Sequence, residues 1–327
     1  MKALYLPHPV SHLNESWGTT VIETCGRRHD VRVFDPQKPG SHQFEGIKAV
    51  LDLGGNARRP VIDLAAAAGV SFMQALTTGL DHVEVEYILG KGIVLCHCPG
   101  ILSAIPLAEH AMMLMLMLAH RYRESEHNFR NQMLYGPMGT ELSGKVLGIL
   151  GFGATGTELA LRAKAFGMKL FAIDVRHIAK RILDEIRPEV IAEPDRLDEM
   201  VRDSDYVSLH LHLTPETHHV IDARRISLMK RTACLINVSR GELVDEDALH
   251  EALVAGRIGG AGLDAYSQEP PDPNHPVYGL PNVVTTPHTS GATTGTRLRR
   301  AEYAAHNLDR LERGEEPLGR VTADWKG

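Results

Sequence analysis

The chain has 327 residues, of which 43% are hydrophobic and 23% are charged, and its formal net charge is -6 at pH 7. This length favours two domains, and the composition is that of a globular protein. The acidic balance argues against nucleic acid as a partner, and four cysteines are too few for a disulfide scaffold.

The first hundred residues are predicted to form a small parallel α/β unit. Short apolar runs typical of buried strands recur at residues 3–6, 31–34, 49–53, 72–76 and 93–96. A helix is predicted between Pro60, which suits a first turn, and Gly69, which suits a helix end. Glycine turns follow two of the strands, at residues 53–56 and 77–81, where open α/β sheets bind ligands. Spacing alone leaves open whether these are ligand loops or ordinary turns.

A hinge is predicted at Pro99 and Gly100, followed by a helix over residues 103–122. Residues 112–118 of this helix are all methionine or leucine. A helix that is apolar all round is buried all round. Two interpretations stay open, a subunit interface and a core helix within one chain.

We expect a cytoplasmic protein with no membrane partner. Residues 1–6 indicate a strand, and no N-terminal signal peptide is visible. The most apolar run, residues 111–119, is too short to span a bilayer.

Residues 145–174 carry the pattern of a dinucleotide-binding unit. An apolar run at residues 146–150 ends in the motif GFGATG at 151–156, and a helical pattern follows. A second apolar run at residues 169–173 then ends at Asp174. Strand, loop, helix, strand and terminal acid together predict a dinucleotide site.

Each residue of this pattern has a physical role. Gly151 permits a tight turn, Gly153 lets a pyrophosphate approach the backbone, and Gly156 lets the helix pack against the strand. The helix N-terminus offers N–H groups to the phosphates. Asp174 is placed to bind the adenosine ribose hydroxyls and to repel a 2′-phosphate. The predicted cofactor is therefore NAD, with NADH preferred over NADPH.

This dinucleotide unit is predicted to continue to about residue 290 as a six-stranded sheet. The predicted strands are residues 146–150, 169–173, 206–211, 233–238, 259–263 and 283–286. The helix at residues 294–313 has no obvious place in this sheet and is a candidate to return to the first unit. The polar tail, residues 314–327, is expected to pack loosely.

Three residues suited to hydride-transfer chemistry follow strands of the second sheet. They are Arg240, Glu269 and His288, all on the edge that carries the cofactor loop. Reduction of a ketone needs a proton donor, and histidine titrates near neutral pH. A carboxylate beside it stabilises the protonated ring, and an arginine binds a substrate carboxylate through two parallel hydrogen bonds.

With these residues in place, the chain resembles the D-isomer-specific 2-hydroxyacid dehydrogenase family over nearly its whole length. The matching motifs are GFGATG at 151–156 with Asp174, LHLHLTPET at 209–217, NVSRG at 237–241, GLD at 262–264 through Glu269 and Pro270, TPHTSGAT at 286–293, PG at 99–100, AEH at 108–110 and TTGLD at 77–81.

The resemblance implies a role for each matched residue. Arg240 corresponds to the substrate-orienting arginine, His288 to the acid/base, and Glu269 to the carboxylate that raises its pKa. Implied cofactor-binding residues are Thr78, Gly151, Gly153, Ala154, Thr155, Gly156, Asp174, Thr214, Val238, Ser239, Asp264, His288 and Ser290. Implied substrate-binding residues are Gly54, Gly55, Gly79, Arg240 and His288.

The resemblance also implies the architecture. A Rossmann NAD-binding domain, residues 101–291, would be inserted into a smaller flavodoxin-like substrate domain made of residues 1–100 and 292–327. Family members are usually dimers through the inserted domain, so we expect a homodimer.

A cysteine–histidine cluster and an arginine pair in the first unit could bind a ligand, but we predict that neither does. Cys96, His97 and Cys98 alternate along a strand, and no second ligand group has zinc-like spacing, so we predict packing and no metal site. Arg58 and Arg59 follow the loop at residues 53–56. One of them could bind a second anionic group of the substrate, but we favour contact with solvent.

The predicted function is hydride transfer between NAD(H) and C2 of a small 2-keto acid or (R)-2-hydroxy acid of the glyoxylate or hydroxypyruvate type. Two alternatives stay open. The same scaffold could act on phosphite, formate or a phosphorylated hydroxy acid. The protein could instead be a non-enzymatic NAD sensor, like the family's transcriptional corepressors, although no long disordered arm or docking segment supports that.

Overall fold

The computed structural model describes residues 1–322. Contacts divide the chain into two compact units. Unit 1 comprises Met1–Leu102 and the chain from Ala292 onward, and unit 2 comprises Ser103–Gly291. The last five residues of the predicted C-terminal tail lie outside the described residues.

The described residues form twelve strands, twelve α-helices and several short turns of helix. The strands are β1 Lys2–Leu6, β2 Asp30–Val33, β3 Ala49–Asp52, β4 Phe72–Ala75, β5 Val94–Cys96, β6 Val146–Leu150, β7 Lys169–Ile173, β8 Val190–Ala192, β9 Tyr206–Leu209, β10 Cys234–Asn237, β11 Gly260–Leu263 and β12 Val283–Thr285. The helices are α1 Ser11–Leu13, α2 Thr19–Gly26, α3 Arg59–Ala67, α4 Val85–Gly90, α5 Ala104–Ala119, α6 Tyr122–Arg130, α7 Ala154–Ala165, α8 Lys180–Ile186, α9 Leu197–Asp203, α10 Ala223–Leu228, α11 Glu246–Val254 and α12 Thr294–Glu312. A π-helical turn spans Asn14–Gly18, and 3-10 turns span Ser41–Phe44, Gly100–Leu102, Pro194–Arg196, Gly241–Leu243 and Pro276–Gly279. Within the described range, no helix is both long enough and apolar enough to cross a membrane.

Unit 1 is built on a parallel five-stranded sheet in the order β2-β1-β3-β4-β5. Alternate side chains of β1 enter two separate cores. Leu4 and Leu6 pack with α3 and α4, whereas Ala3 and Tyr5 pack with α2 and α12. The five predicted strands of this unit are confirmed, and so is the predicted helix, found as α3.

The C-terminal segment belongs to unit 1. Helix α12 packs on α2, with the Cys25 Sγ 3.8 Å from the Ala301 carbonyl oxygen. The prediction of a loosely packed tail is wrong for the described part. Val321 is buried, and its N–H donates to the Leu95 carbonyl over 2.8 Å, so the tail lies antiparallel to β5. Two isolated apolar residues, Leu318 and Val321, in a polar segment were too weak a signal to show this.

Unit 2 contains a parallel seven-stranded sheet in the order β12-β11-β10-β9-β6-β7-β8, with helices on both faces. The six predicted strands are confirmed, four of them trimmed by one or two residues. The count of six is wrong, because β8 at the sheet edge was missed. It has only three residues and lies between Pro188 and Pro194, and prolines tolerate edge positions.

Helix α5 departs from the predicted all-round burial. Ala108, Ala111 and Met115 are buried in the core of unit 2, but Ile105 and Met113 are exposed by 42% and 38%. The helix also ends earlier than predicted, since Arg121 adopts a left-handed backbone conformation before α6 begins. Unit 2 therefore leaves one apolar face of α5 uncovered.

Candidate active site

The connection from β6 to α7 forms the predicted phosphate-binding loop. Gly151 has φ +96°, a conformation that favours glycine. A Cβ added at Gly156 would lie 2.1 Å from the Gly151 carbonyl oxygen, so only glycine permits this close turn. Gly153 is the N-cap of α7, and the first-turn N–H groups of Ala154 and Thr155 lie at the helix end that binds anions.

Asp174 ends the adjacent strand β7 and is 8% exposed. Its carboxylate accepts hydrogen bonds from the backbone N–H groups of Phe152 and Arg176, both over 2.8 Å. It also pairs with the Arg176 guanidinium at 2.9 and 2.8 Å. Burial alone would raise the pKa of Asp174, but Arg176 and these N–H donors hold it below its usual value. Asp174 is thus ionised and paired with the Arg176 guanidinium.

Arg240 lies in a tight turn after β10. The Asn237 side-chain amide donates to the Arg240 carbonyl over 2.7 Å, and the Arg240 Nη1 donates to the Ser239 carbonyl over 2.8 Å. A Cβ added at Gly241 would come within 1.8 Å of the Tyr266 backbone. This glycine therefore lets the arginine turn pack directly against the segment that leads to Glu269.

Glu269 and His288 form a hydrogen-bonded ion pair. The His288 Nδ1 lies 2.7 and 2.8 Å from the two Glu269 carboxylate oxygens. Glu269 raises the pKa of His288, against the opposing effect of burial. Burial alone would raise the pKa of Glu269, yet His288 holds it low. Arg240 acts electrostatically on both groups, so the three predicted residues lie together.

The segment that carries His288 is held in place by a fully buried carboxylate. Asp264 Oδ1 accepts from the Thr286 hydroxyl over 2.6 Å and from the Thr289 N–H over 2.8 Å, and its Oδ2 accepts from the Ser290 N–H over 2.8 Å. His288 itself has φ +52°. The network fixes an unusual backbone conformation at the residue that carries the titrating ring.

Two residues of this network were assigned no role from the sequence. His110 on α5 lies 2.8 Å from the Thr286 hydroxyl and 3.6 Å from Asp264. The AEH motif at residues 108–110 marked the position of His110 but not its contacts. Tyr266 donates its hydroxyl to the Thr286 carbonyl over 2.6 Å, and no sequence pattern indicated that bond.

The other predicted cofactor residues of unit 2 lie on the same sheet edge. Val238 and Ser239 directly follow β10, and the Ser239 hydroxyl donates to the Leu209 carbonyl over 2.7 Å. Thr214 lies beyond β9, where its N–H donates to the Thr217 hydroxyl over 2.8 Å. Parallel strands bring these segments to one edge, as expected for a doubly wound sheet.

In unit 1, the predicted substrate loops also follow strand ends. Gly54 and Gly55 have φ +119° and +87°. Beneath them, Asp52 is 2% exposed and accepts backbone hydrogen bonds from Gly54 and Ala57, and burial raises its pKa to about 6. No pattern in the sequence indicated this buried acid. Thr78 and Gly79 follow β4, and the Thr78 carbonyl lies 3.0 Å from the His97 Nδ1.

Comparison with known proteins fits this geometry. A family model described as D-isomer specific 2-hydroxyacid dehydrogenase, NAD binding domain, matches residues 112–290. The chain belongs to the D-isomer specific 2-hydroxyacid dehydrogenase family. It is 37% identical to a glyoxylate reductase of Aeropyrum pernix, over 93% of this chain and 92% of that protein.

Two solved structures share the fold of this chain. The TT0316 protein of Thermus thermophilus is 33% identical with a TM-score of 0.82, over 98% of this chain and 100% of that one. D-Lactate dehydrogenase from Aquifex aeolicus, solved with NAD and lactic acid, is 25% identical with a TM-score of 0.79, over 99% and 100%.

These similarities confirm several predictions made from the sequence. The family, the α/β fold with a Rossmann NAD-binding domain, and the class of enzyme, a D-2-hydroxyacid dehydrogenase, are all as predicted. The chain is therefore an oxidoreductase with an NAD-binding domain. The roles of individual residues, the two domain assignments, the preferred dinucleotide and the dimer stay predictions.

In the first unit of this dehydrogenase, the structure shows the surroundings of Cys96 and Cys98 and of the arginine pair Arg58 and Arg59. Cys96 and Cys98 are buried, and burial raises the pKa of each thiol to about 12. Within residues 1–322, no group of three His, Cys, Asp or Glu side chains is arranged to hold a metal ion. Arg59 pairs with Glu84 at 2.6 Å, and the Arg58 Nε donates to the Gly55 carbonyl over 3.0 Å.

Proposed function

We propose that this enzyme reduces small 2-keto acids to (R)-2-hydroxy acids with NADH, and that it catalyses the reverse oxidation. The observation that carries the proposal is the Glu269–His288 ion pair beside Arg240, on the sheet edge that also bears the dinucleotide loop. A carboxylate-stabilised imidazolium next to a guanidinium suits a carbonyl compound that carries a carboxylate.

In this proposal each group has a defined role. The Arg240 guanidinium binds the substrate carboxylate and orients the carbonyl, and the backbone at Gly54, Gly55 and Gly79 receives the same carboxylate. The His288 Nδ1 is held by Glu269, so Nε2 is the atom that gives its proton to the carbonyl oxygen. Bound NADH supplies the hydride that C2 receives.

The residues of unit 2 fit a bound dinucleotide. The loop of Gly151, Gly153 and Gly156 leaves the helix N-terminus open to a pyrophosphate, which Ala154 and Thr155 would contact. Asp174 would bind the ribose hydroxyls. The residues proposed to contact the nicotinamide side are Thr214, Val238, Ser239 and Asp264. His288 and Ser290 in unit 2, and Thr78 in unit 1, are further proposed cofactor-binding residues.

We infer a preference for NADH over NADPH, set by the competition between Asp174 and Arg176. The carboxylate repels a 2′-phosphate, whereas the guanidinium would attract it. Asp174→Ala is expected to lower the NADH/NADPH ratio of kcat/KM by about tenfold or more, and Arg176→Ala is expected to raise it. Rates with each dinucleotide at saturating keto acid measure this ratio.

Arg181→Ala, a neighbouring charge change on α8, provides the control for this pair and should leave the ratio unchanged. A higher rate with NADPH in the wild-type enzyme would contradict the inferred preference. Ratios unchanged from wild type in both Asp174→Ala and Arg176→Ala would show that neither residue sets the preference.

We also infer a homodimer through unit 2. An apolar groove on α5 and α7 is lined by Glu109, Met112, Met113, Leu116, Met117, Arg162 and Phe166. The segment after α6 exposes Leu134, Tyr135 and Met138 by 74%, 103% and 88%. Exposed apolar patches are typical of surfaces that bind another protein.

Light scattering at micromolar concentration tests this assembly. The wild-type enzyme is expected to show twice the chain mass, and Leu134→Glu combined with Met138→Glu should lower it towards one chain mass. Val254→Glu, at an apolar residue 62% exposed elsewhere on unit 2, is the matched control. A monomeric wild type would refute the dimer.

A reducing compartment such as the cytoplasm suits the cysteines. Cys25, Cys96, Cys98 and Cys234 are all buried as free thiols, whereas oxidising compartments favour disulfides. We therefore place the enzyme in the cytoplasm, and its recovery from an extracytoplasmic fraction would contradict this assignment.

The reaction is tested by following NADH oxidation with glyoxylate, hydroxypyruvate, pyruvate and bulkier 2-keto acids. We expect turnover with at least one of them and formation of the (R)-hydroxy acid. If none of these keto acids is reduced but phosphite or formate reduces NAD, the proposal is refuted. The enzyme would then be a phosphite or formate dehydrogenase on the same scaffold.

A further inference from the structure

Unit 1 holds a largely buried guanidinium group that no described carboxylate neutralises. Arg300 lies on α12, where its Nη2 donates to the Thr78 hydroxyl over 3.1 Å. Its guanidinium carbon lies 5.5 Å from the centre of the Trp17 ring, and its Nε is buried without a hydrogen-bond partner. Burial lowers the pKa of Arg300, but an arginine keeps its proton in proteins.

A second cation on the same helix strengthens this pattern. The Nε of Arg297 is also buried without a partner, and its Nη1 contacts the Ser16 carbonyl at 3.3 Å. Arg299, between them, donates its Nε to the Leu102 carbonyl over 2.8 Å. Within residues 1–322, none of these three arginines forms a salt bridge, although most arginines of this chain do. This part of α12 therefore carries positive charge without a protein counter-ion.

An unpaired buried charge is costly, and it calls for an explanation such as a ligand that neutralises it. The hydroxyl that Arg300 contacts belongs to Thr78, whose neighbour Gly79 is a proposed receptor of the substrate carboxylate. His97 contacts the Thr78 carbonyl at 3.0 Å, so this loop is held through both its backbone and its side chain. The charge thus contacts the loop that carries the proposed carboxylate site at Gly79.

We infer that Arg300 is a positioning residue for the substrate: held on Thr78, it supplies the fixed positive charge that favours an anionic 2-keto acid. This inference rests on the proposed function. It assigns Arg300 to selection of the carboxylate, whereas Arg240 also acts on the reacting carbonyl. The competing interpretation is that Arg300 only packs against Trp17 and stabilises unit 1.

Steady-state kinetics of Arg300→Met, with Arg299→Met as the matched control, separates these interpretations. Methionine keeps an apolar contact with Trp17 and removes the charge. We expect the KM for the best 2-keto acid to rise about tenfold, with kcat and the KM for NADH within about twofold of wild type. Arg300→Lys should restore part of the loss, because it keeps the charge, and Arg299→Met should have little effect.

Calorimetric binding of oxamate to the enzyme–NADH complex provides a readout that does not depend on turnover. We expect its Kd to rise in parallel with KM in Arg300→Met. Arg300→Gln, which removes the charge and keeps a donor for the Thr78 hydroxyl, should also raise both KM and Kd, and it serves if Arg300→Met does not fold. Unchanged KM and oxamate Kd, or equal losses in kcat and NADH binding, would overturn the inference. If wild type binds oxamate but reduces no 2-keto acid, the proposed function fails instead.

Discussion

His288→Ala is expected to lower kcat for keto acid reduction by about 10²–10⁴-fold while NADH still binds. The variant removes the proposed proton donor but leaves the phosphate-binding loop at residues 151–156 and Asp174 intact. Stopped-flow or steady-state NADH oxidation measures kcat, and fluorescence titration measures the Kd of NADH. Because residue 288 has φ +52°, His288→Asn is a useful second variant, since asparagine tolerates this conformation.

The matched control for His288 is His306→Ala, an exposed histidine on α12 that should leave kcat unchanged. An unimpaired rate in both His288 variants would refute the assignment of the proton donor. Loss of NADH binding together with kcat would show instead that residue 288 supports the cofactor loop.

The pH dependence of reduction follows from the same ion pair. Reduction needs protonated His288, so the rate should be highest below its pKa and fall as pH rises through it. Glu269 raises that pKa above the ordinary value for histidine. Glu269→Gln should therefore move the descending limb to lower pH, and an unmoved limb would show that another group controls the rate.

The parts of this site that the sequence predicted are local in the chain. The strand at residues 146–150, its glycine motif and Asp174 lie within thirty residues, and each has a distinctive composition. Arg240, Glu269 and His288 were found because each follows an apolar run, and parallel strands end at one edge. Such patterns require no knowledge of which helices pack together.

What the sequence did not show depends on contacts between distant segments. The hydrogen bond between His110 and Thr286 joins residues 176 positions apart. Asp52 is an ordinary acid at a strand end until burial raises its pKa. In the sequence the arginines of α12 resemble a solvated helix face, because charged residues usually occupy the exposed side of a helix. Only the folded structure reveals that the Nε atoms of Arg297 and Arg300 are buried.

For helix α5 the sequence overestimated burial, whereas for Asp52 and the α12 arginines it gave no sign of it. Its continuous methionine and leucine run correctly indicated a large apolar surface, but composition could not say how much of it the chain itself covers. The structure buries the side that faces the sheet of unit 2 and leaves Met113 exposed by 38%. The excess apolar surface is what supports the proposed subunit interface.

Arg240→Gln is expected to lower kcat/KM for the 2-keto acid by about 10²–10³-fold, because it removes a charged partner of the proposed substrate carboxylate. The Asn237 amide holds the Arg240 backbone over 2.7 Å, so the turn should persist without the guanidinium. Arg240→Lys keeps the charge but loses the planar fork, and we expect it to recover only part of the loss.

The effect of Arg240 should differ from that of Arg300, because Arg240 acts on the reacting carbonyl as well as on the carboxylate. An interaction made in the transition state lowers kcat as well as kcat/KM, whereas uniform binding changes KM alone. Arg231→Gln is the control, since this exposed arginine precedes the same strand and bonds the Gly256 carbonyl over 3.1 Å. A pure KM effect in Arg240→Gln would show that this residue binds substrate without contributing to hydride transfer. A loss of kcat/KM no larger than that of Arg231→Gln would show that Arg240 has no role in the active site.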